Sequence, residues 1–167
     1  ITDPICVVLL YRFAIAHKNE MDRRKIFKLD DHFVTIMSKL RSRFSAIVAT
    51  NQNAIEQCDP KIFLENEATA HHANAMTKRF SEFANSLSQL MIEDIADMIT
   101  TELHMISAAV IDLIERTSRE FKNNELAVVF QINNYYLILT TLQNVNGCPL
   151  IDLFQQKLSD CTSYFVE

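Results

Sequence analysis

Residues 92–121 read IEDIADMITTELHMISAAVIDLIERTSREF. Along this stretch Ile92, Ile95, Ile99, Leu103, Ile106, Val110, Leu113, Thr117 and Phe121 recur three or four residues apart. That spacing stacks side chains on one face of an α-helix, whereas a half-buried strand alternates every second residue. Glu93, Asp94 and Asp97 fall at the start of the stretch, where the positive end of a helix dipole favours carboxylates. The seam is heptad-like and asks for a partner helix.

The rest of the chain permits little besides helices. One glycine, Gly147, and three prolines, Pro4, Pro60 and Pro149, stand in 167 residues, against averages of about 7% and about 5%. Hairpins, βα turns and phosphate-cradling loops consume glycine, because they need positive φ or close backbone approach. The composition therefore excludes most sheet folds and predicts an all-α chain. With 49% hydrophobic residues, a continuous core is within reach.

Working outward, six helical segments are expected. Asp3 caps a first helix from Pro4 to about Arg24, and Arg24–Leu29 is a connector. A second helix starts after Asp30 or Asp31 and runs to about Gln57, with Phe33, Met37, Leu40, Phe44, Ile47, Asn51, Ala54 and Cys58 as its seam. Asp59–Pro60 opens a short turn of helix ending near Leu64. A third helix begins between Asn66 and Ala70 and carries Met76, Phe80, Phe83, Leu87 and Leu90. Nothing between Ala70 and Phe121 is Gly or Pro, yet a reversal near Met91–Asp94 is expected, because one unbroken rod leaves both seams without a local partner. The fifth helix, about Asn124 to Asn144, is apolar nearly all round and should be buried on several sides. After the loop signal around Gly147 and Pro149, a last helix turns Ile151, Phe154, Leu158, Cys161 and Phe165 inward. These lengths and links predict an elongated antiparallel helical bundle, one module over residues 1–167. A start at Ile1 rather than Met marks it as an expected fragment of a longer subunit.

Charge is uneven. Residues 1–50 carry nine Lys/Arg against five Asp/Glu, and the remainder seven against sixteen, so a formal charge of −5 hides a basic beginning. Overall acidity argues against nucleic acid as the main ligand. Arg23, Arg24, Lys25 and Lys28 are candidate contacts to an acidic partner, a phosphoinositide or an anionic membrane, set against the plainer reading of a solvated helix end. Cys6, Cys58, Cys148 and Cys161 form no C-x-x-C pair and read as reduced thiols. The apolar run Ile5–Tyr11 is too short to span a bilayer.

Catalytic chemistry finds few footholds. No G-x-S-x-G, P-loop, G-x-G-x-x-G or H-E-x-x-H occurs. His71 and His72, with Glu67 a turn earlier, offer the best metal candidate, but zinc needs three or four ligands. A metal-binding helical protein built on that pair remains the alternative class. His104 reads as a structural histidine. Asn133 and Asn134 sit inside the most apolar helix, where an amide must be hydrogen-bonded, so at least one is expected to bond across the bundle and fix register. Asn51 is expected to do the same on the second helix.

Three stretches carry a family resemblance. Phe130-Gln-Ile-Asn-Asn-Tyr135 resembles a signature of helical-rod subunits in membrane tethering complexes. Thr77-Lys-Arg-Phe-Ser-Glu-Phe83 and Arg43-Phe-Ser-Ala-Ile-Val-Ala-Thr-Asn51 are similar to two further motifs, in the same order. Together, over roughly residues 30–142, they resemble the C-terminal region of the vacuolar protein sorting protein fifty-two family. Two departures stand out: Asn74 where that family tends to have His, and Met91–Asp94 where it carries a proline-containing loop. The resemblance implies a non-enzymatic scaffold without cofactor or small-molecule substrate. Such a scaffold belongs to the Golgi-associated retrograde protein complex and its endosomal recycling counterpart, on the cytosolic face of the trans-Golgi network and endosomes. Implied partners are sister tethering subunits, a Golgi Rab GTPase and SNAREs. Arg79, Phe80, Glu82, Phe83, Phe130, Asn133, Asn134 and Tyr135 are then core and register positions rather than contacts. A rod from a related tether, the exocyst or the conserved oligomeric Golgi complex, is the nearest rival.

Overall fold

A computed structural model describes residues 2–64, 71–145 and 147–166, with side chains through residue 163. It is an all-α helical bundle, with six α-helices and no strand among the described residues. They are α1 (Pro4–Arg23), α2 (Asp30–Glu56), α3 (Ala75–Gln89), α4 (Glu93–Arg119), α5 (Asn124–Leu142) and α6 (Ile151–Val166). Short 3₁₀ turns stand at Phe27–Leu29 and Pro60–Phe63. The chain divides into two compact units, Ile1–Asn51 and Gln52–Glu167.

In the first unit, Asp3 caps α1 by accepting from the Ile5 N–H at 2.9 Å, and Pro4 occupies the first helical position. The helix buries Val7, Val8, Ala14 and Ile15, while Phe44 and Val48 are the buried apolar residues of α2 in this unit. The seam of α2 departs from the expected one. Its buried residues Phe44, Val48 and Ile55 are spaced by four and seven, following the true 3.6-residue turn. The expected 3.5-residue stepping through Ile47, Asn51 and Ala54 drifts off that face over three turns. Asn51 is consequently exposed and bridges nothing in a core.

The second unit holds the large core. Here α3, α4, α5 and α6 alternate in direction, and α5 packs against the other three. The near-continuous apolar surface of α5 follows from that position: Phe130, Tyr135, Ile138, Leu139 and Leu142 are buried among three neighbours. The seam of α4 buries Ile95, Ile99, Leu103, Ile106, Val110 and Leu113. Each such side chain contributes about 1.5–3 kcal/mol on leaving water. Phe80, Tyr135 and Phe154 join α3, α5 and α6 through ring centroids 6.0 and 6.2 Å apart.

The reversal between α3 and α4 spans Leu90–Ile92 without glycine or proline. The Leu90 and Met91 N–H groups donate to the Leu87 and Ser88 carbonyls, tightening the last turn, and Glu93 and Asp94 open α4. A third-helix start at residues 66–70 falls outside the described residues; α3 begins at Ala75 behind Asn74. The long seam also stops earlier than expected. Helix α4 ends at Arg119, and Phe121 packs on Phe130 from the loop, centroids 5.4 Å apart. Phe165 lies outside the described side chains. Arg116 ties α4 to the end of α2. Its guanidinium donates to the carbonyls of Cys58 at 3.0 Å, Glu56 at 3.1 Å and Ile55 at 3.3 Å, and Nε to Asp112 at 2.7 Å. Ile55 O also accepts from the Cys58 N–H at 3.2 Å, so the guanidinium adds a second donor there.

Candidate functional site

Of the four basic residues singled out at the first connector, two are already engaged. Arg23 donates to both Glu20 carboxylate oxygens at 2.8 and 2.9 Å, and Arg24 Nε to one at 2.6 Å. These bonds, Arg23's first, hold the Glu20 carboxyl down at about 2. Lys25 and Lys28 have no ion pair among the described residues. Lys25 sits at φ 59°, in the left-handed position that closes α1. Its N–H donates to Asp22 O at 2.9 Å and that of Ile26 to Met21 O at 3.0 Å, the paired bonds of a Schellman ending. Glycine is the usual occupant of that position, and a lysine there stores about 1–2 kcal/mol of backbone strain.

Beside the connector lies a feature that motif reading missed. Leu10, Phe13 and His17 of α1 face Phe33, Ile36 and Leu40 of α2 across an apolar groove of about 270 Å³. Phe13 remains 61% exposed, its ring 4.0 Å from that of His17. The signal was the unbroken run Ile5–Tyr11. A helix burying Val7 and Val8 that also carries Leu9 and Leu10 has a second apolar face to occupy.

The buried amides lie in the second unit. Asn134, fully buried on α5, accepts from the Asn74 backbone N–H at 3.0 Å and donates to Phe130 O at 2.8 Å. Asn74 in turn caps α3, its Oδ1 accepting from the N–H groups of Met76 at 2.6 Å and Thr77 at 3.3 Å. The Asn134 side chain on α5 thus anchors Asn74, the residue that starts α3. Phe80 and Phe130 are buried, Phe83 and Asn133 half-buried, and Arg79 and Glu82 stand on the solvent face of α3 rather than in the core.

Tyr135 borders a cavity of about 290 Å³ with Glu115, Ser118, Gln131, Lys157 and Cys161. Polar pairs cross it: Lys157 Nζ to Glu115 at 2.8 Å, Gln131 Nε2 to Ser118 Oγ at 2.6 Å, and Cys161 Sγ to Gln131 Oε1 at 3.1 Å. The buried Tyr135 hydroxyl has no hydrogen-bond partner among the described residues, and burial, then the charges of Glu115 and Cys161, raises its pKa. Burial likewise raises the Cys161 thiol, so it is no ready nucleophile.

His71 and His72 are exposed, and Glu67 lies outside the described residues. Among the described residues no group of three or more His, Cys, Asp or Glu side chains could hold a metal ion. His104 is exposed on α4 instead of serving inside the core, because its neighbour Leu103 takes the buried face. No described helix is long and apolar enough to cross a membrane.

Comparison with known proteins finds a family match. The family model described as Vps52, C-terminal, matches residues 1–166. Vacuolar protein sorting-associated protein 52 A of Arabidopsis thaliana is 26% identical over 167 residues, covering 99% of this chain and 23% of its own length. The vacuolar protein sorting-associated protein 52 homologues of Homo sapiens and Rattus norvegicus are each 25% identical with the same coverage. The chain therefore spans about a quarter of these relatives, 23% of their length. No solved structure matches.

Proposed function

Because this chain belongs to the Vps52 C-terminal family, we propose that it is a non-enzymatic scaffold module of a multisubunit vesicle-tethering complex. It serves retrograde transport from endosomes to the trans-Golgi network and endosomal recycling, on the cytosolic face of those membranes. The observation that carries the reading is the groove between α1 and α2, open along one side and walled by Phe13, Phe33, Ile36 and Leu40. A groove of this kind accepts the apolar face of an amphipathic helix. Its occupant is an acidic-flanked helix of a sister subunit, matched to the basic character of residues 1–50 and to Lys39 and Arg41, which have no ion pair among the described residues. Rab GTPases and SNAREs then engage the assembled complex. Asn134 and Tyr135, by contrast, act inside the fold.

Affinity purification of the full-length protein, with and without Leu10→Glu and Phe13→Glu, tests this. Tethering subunits should accompany the parent protein, and at least one should be lost from the double variant while its melting temperature holds. Recovery of an unrelated assembly, or an unchanged set with the double variant, defeats the reading.

A further inference from the structure

The connector between α1 and α2 reads Arg23-Arg24-Lys25-Ile26-Phe27-Lys28-Leu29. Its apolar residues do not turn inward: Ile26 is 43%, Phe27 61% and Leu29 42% exposed. The Schellman ending makes this notable, since its Ile26 position usually packs back on the helix. Interleaved with them are Lys25 and Lys28, the two basic side chains of the connector without an ion pair among the described residues. Arg23 and Arg24 share the single Glu20 carboxylate, which leaves one net positive charge there, and the two lysines add two more. Lys25 also stands at a backbone position that favours glycine.

We propose that this connector contacts an anionic lipid bilayer directly, with Ile26, Phe27 and Leu29 entering the headgroup–acyl boundary and Lys25 and Lys28 lying among the headgroups. An acidic protein surface without apolar groups would be answered by the lysines alone and would leave three large apolar side chains in water. The bilayer interface answers both classes at once, since apolar side chains enter to about 5–10 Å and each nearby basic residue adds attraction to anionic lipid. Lipid contact here is independent of which complex the chain serves.

The chain contains no tryptophan, so Phe27→Trp supplies a single indole reporter at an exposed site. With phosphatidylcholine vesicles containing phosphatidylserine its emission should shift to the blue, and with phosphatidylcholine alone it should stay at the wavelength of a water-exposed indole. In co-sedimentation with the anionic vesicles, K25A/K28A should bind about 30-fold more weakly and Phe27→Ser about tenfold more weakly, with melting temperatures unchanged. K39A/R41A is the control. Lys39 and Arg41 follow Leu29 by ten residues or more, about 15 Å along a helix and beyond the Debye length of about 8 Å, so binding should change less than about threefold. An indole that stays water-like on anionic vesicles, equal binding to neutral ones, or an equal loss in the control pair would overturn the proposal.

Discussion

Replacing Asn134 by alanine removes the side chain that links α5 to the start of α3. The parent amide accepts from the Asn74 N–H at 3.0 Å in a fully buried setting. Without it that N–H has no partner, and a buried unsatisfied donor costs about 1–3 kcal/mol. The bond to Phe130 O adds little to the loss, because that carbonyl also receives the ordinary helical bond. The space left by the amide adds up to about 1 kcal/mol. The total is about 1–4 kcal/mol, a fall in melting temperature of about 2–16 °C for a chain of this size. Urea titration followed by circular dichroism reads it as a lower midpoint at unchanged slope. Asn74→Ala should cost only about 1 kcal/mol, because it removes the cap but keeps the backbone donor to Asn134. A loss below about 1 kcal/mol for Asn134→Ala would refute the assignment of the anchor.

Three further perturbations have definite outcomes. Arg116→Ala strips three carbonyls at the end of α2 of their shared donor and should cost about 2 kcal/mol in the same titration. Arg116→Lys should recover less than half of that, since an ammonium cannot reproduce the fork. Tyr135→Phe removes a hydroxyl without a partner among the described residues and should be neutral or gain up to about 1 kcal/mol at neutral pH. The native phenol has a raised pKa, so the folded chain holds its proton more tightly than the unfolded one. Its contribution is full below about pH 10 and is lost as pH rises above that; the phenylalanine variant should lose less stability there in alkaline denaturation. Lys25→Gly relieves a left-handed lysine and should raise the melting temperature, by about 1 kcal/mol in stability.

The helical class was legible because glycine is nearly absent and the α4 seam repeats over seven turns. The central place of α5 was legible too, since no helix with apolar residues on every side can rest on a surface. Asn134 was visible only as an amide in an apolar setting; that its partner is the backbone of Asn74, sixty residues earlier, depends on tertiary packing. The phase of α2 was misread because a 3.5-residue step and a 3.6-residue helix diverge slowly, which moved Asn51 to solvent. Composition suggested one charged cluster at Arg23–Lys28, but only side-chain geometry separates the arginines held by Glu20 from the lysines that are not. The α1–α2 groove left no motif at all. Its signal was the surplus of apolar residues on α1 over what one buried face requires.

The central claim, that the α1–α2 groove receives a helix of a sister tethering subunit, is tested most directly by placing a photo-crosslinking side chain at Phe13 in the full-length protein. The assembled complex would be irradiated, with Met105, exposed on α4, as the matched control position. The expected result is a crosslink from position 13 to one amphipathic segment of a partner subunit and none of comparable yield from position 105. Equal labelling from both positions, or none from position 13 in an intact complex, would contradict it.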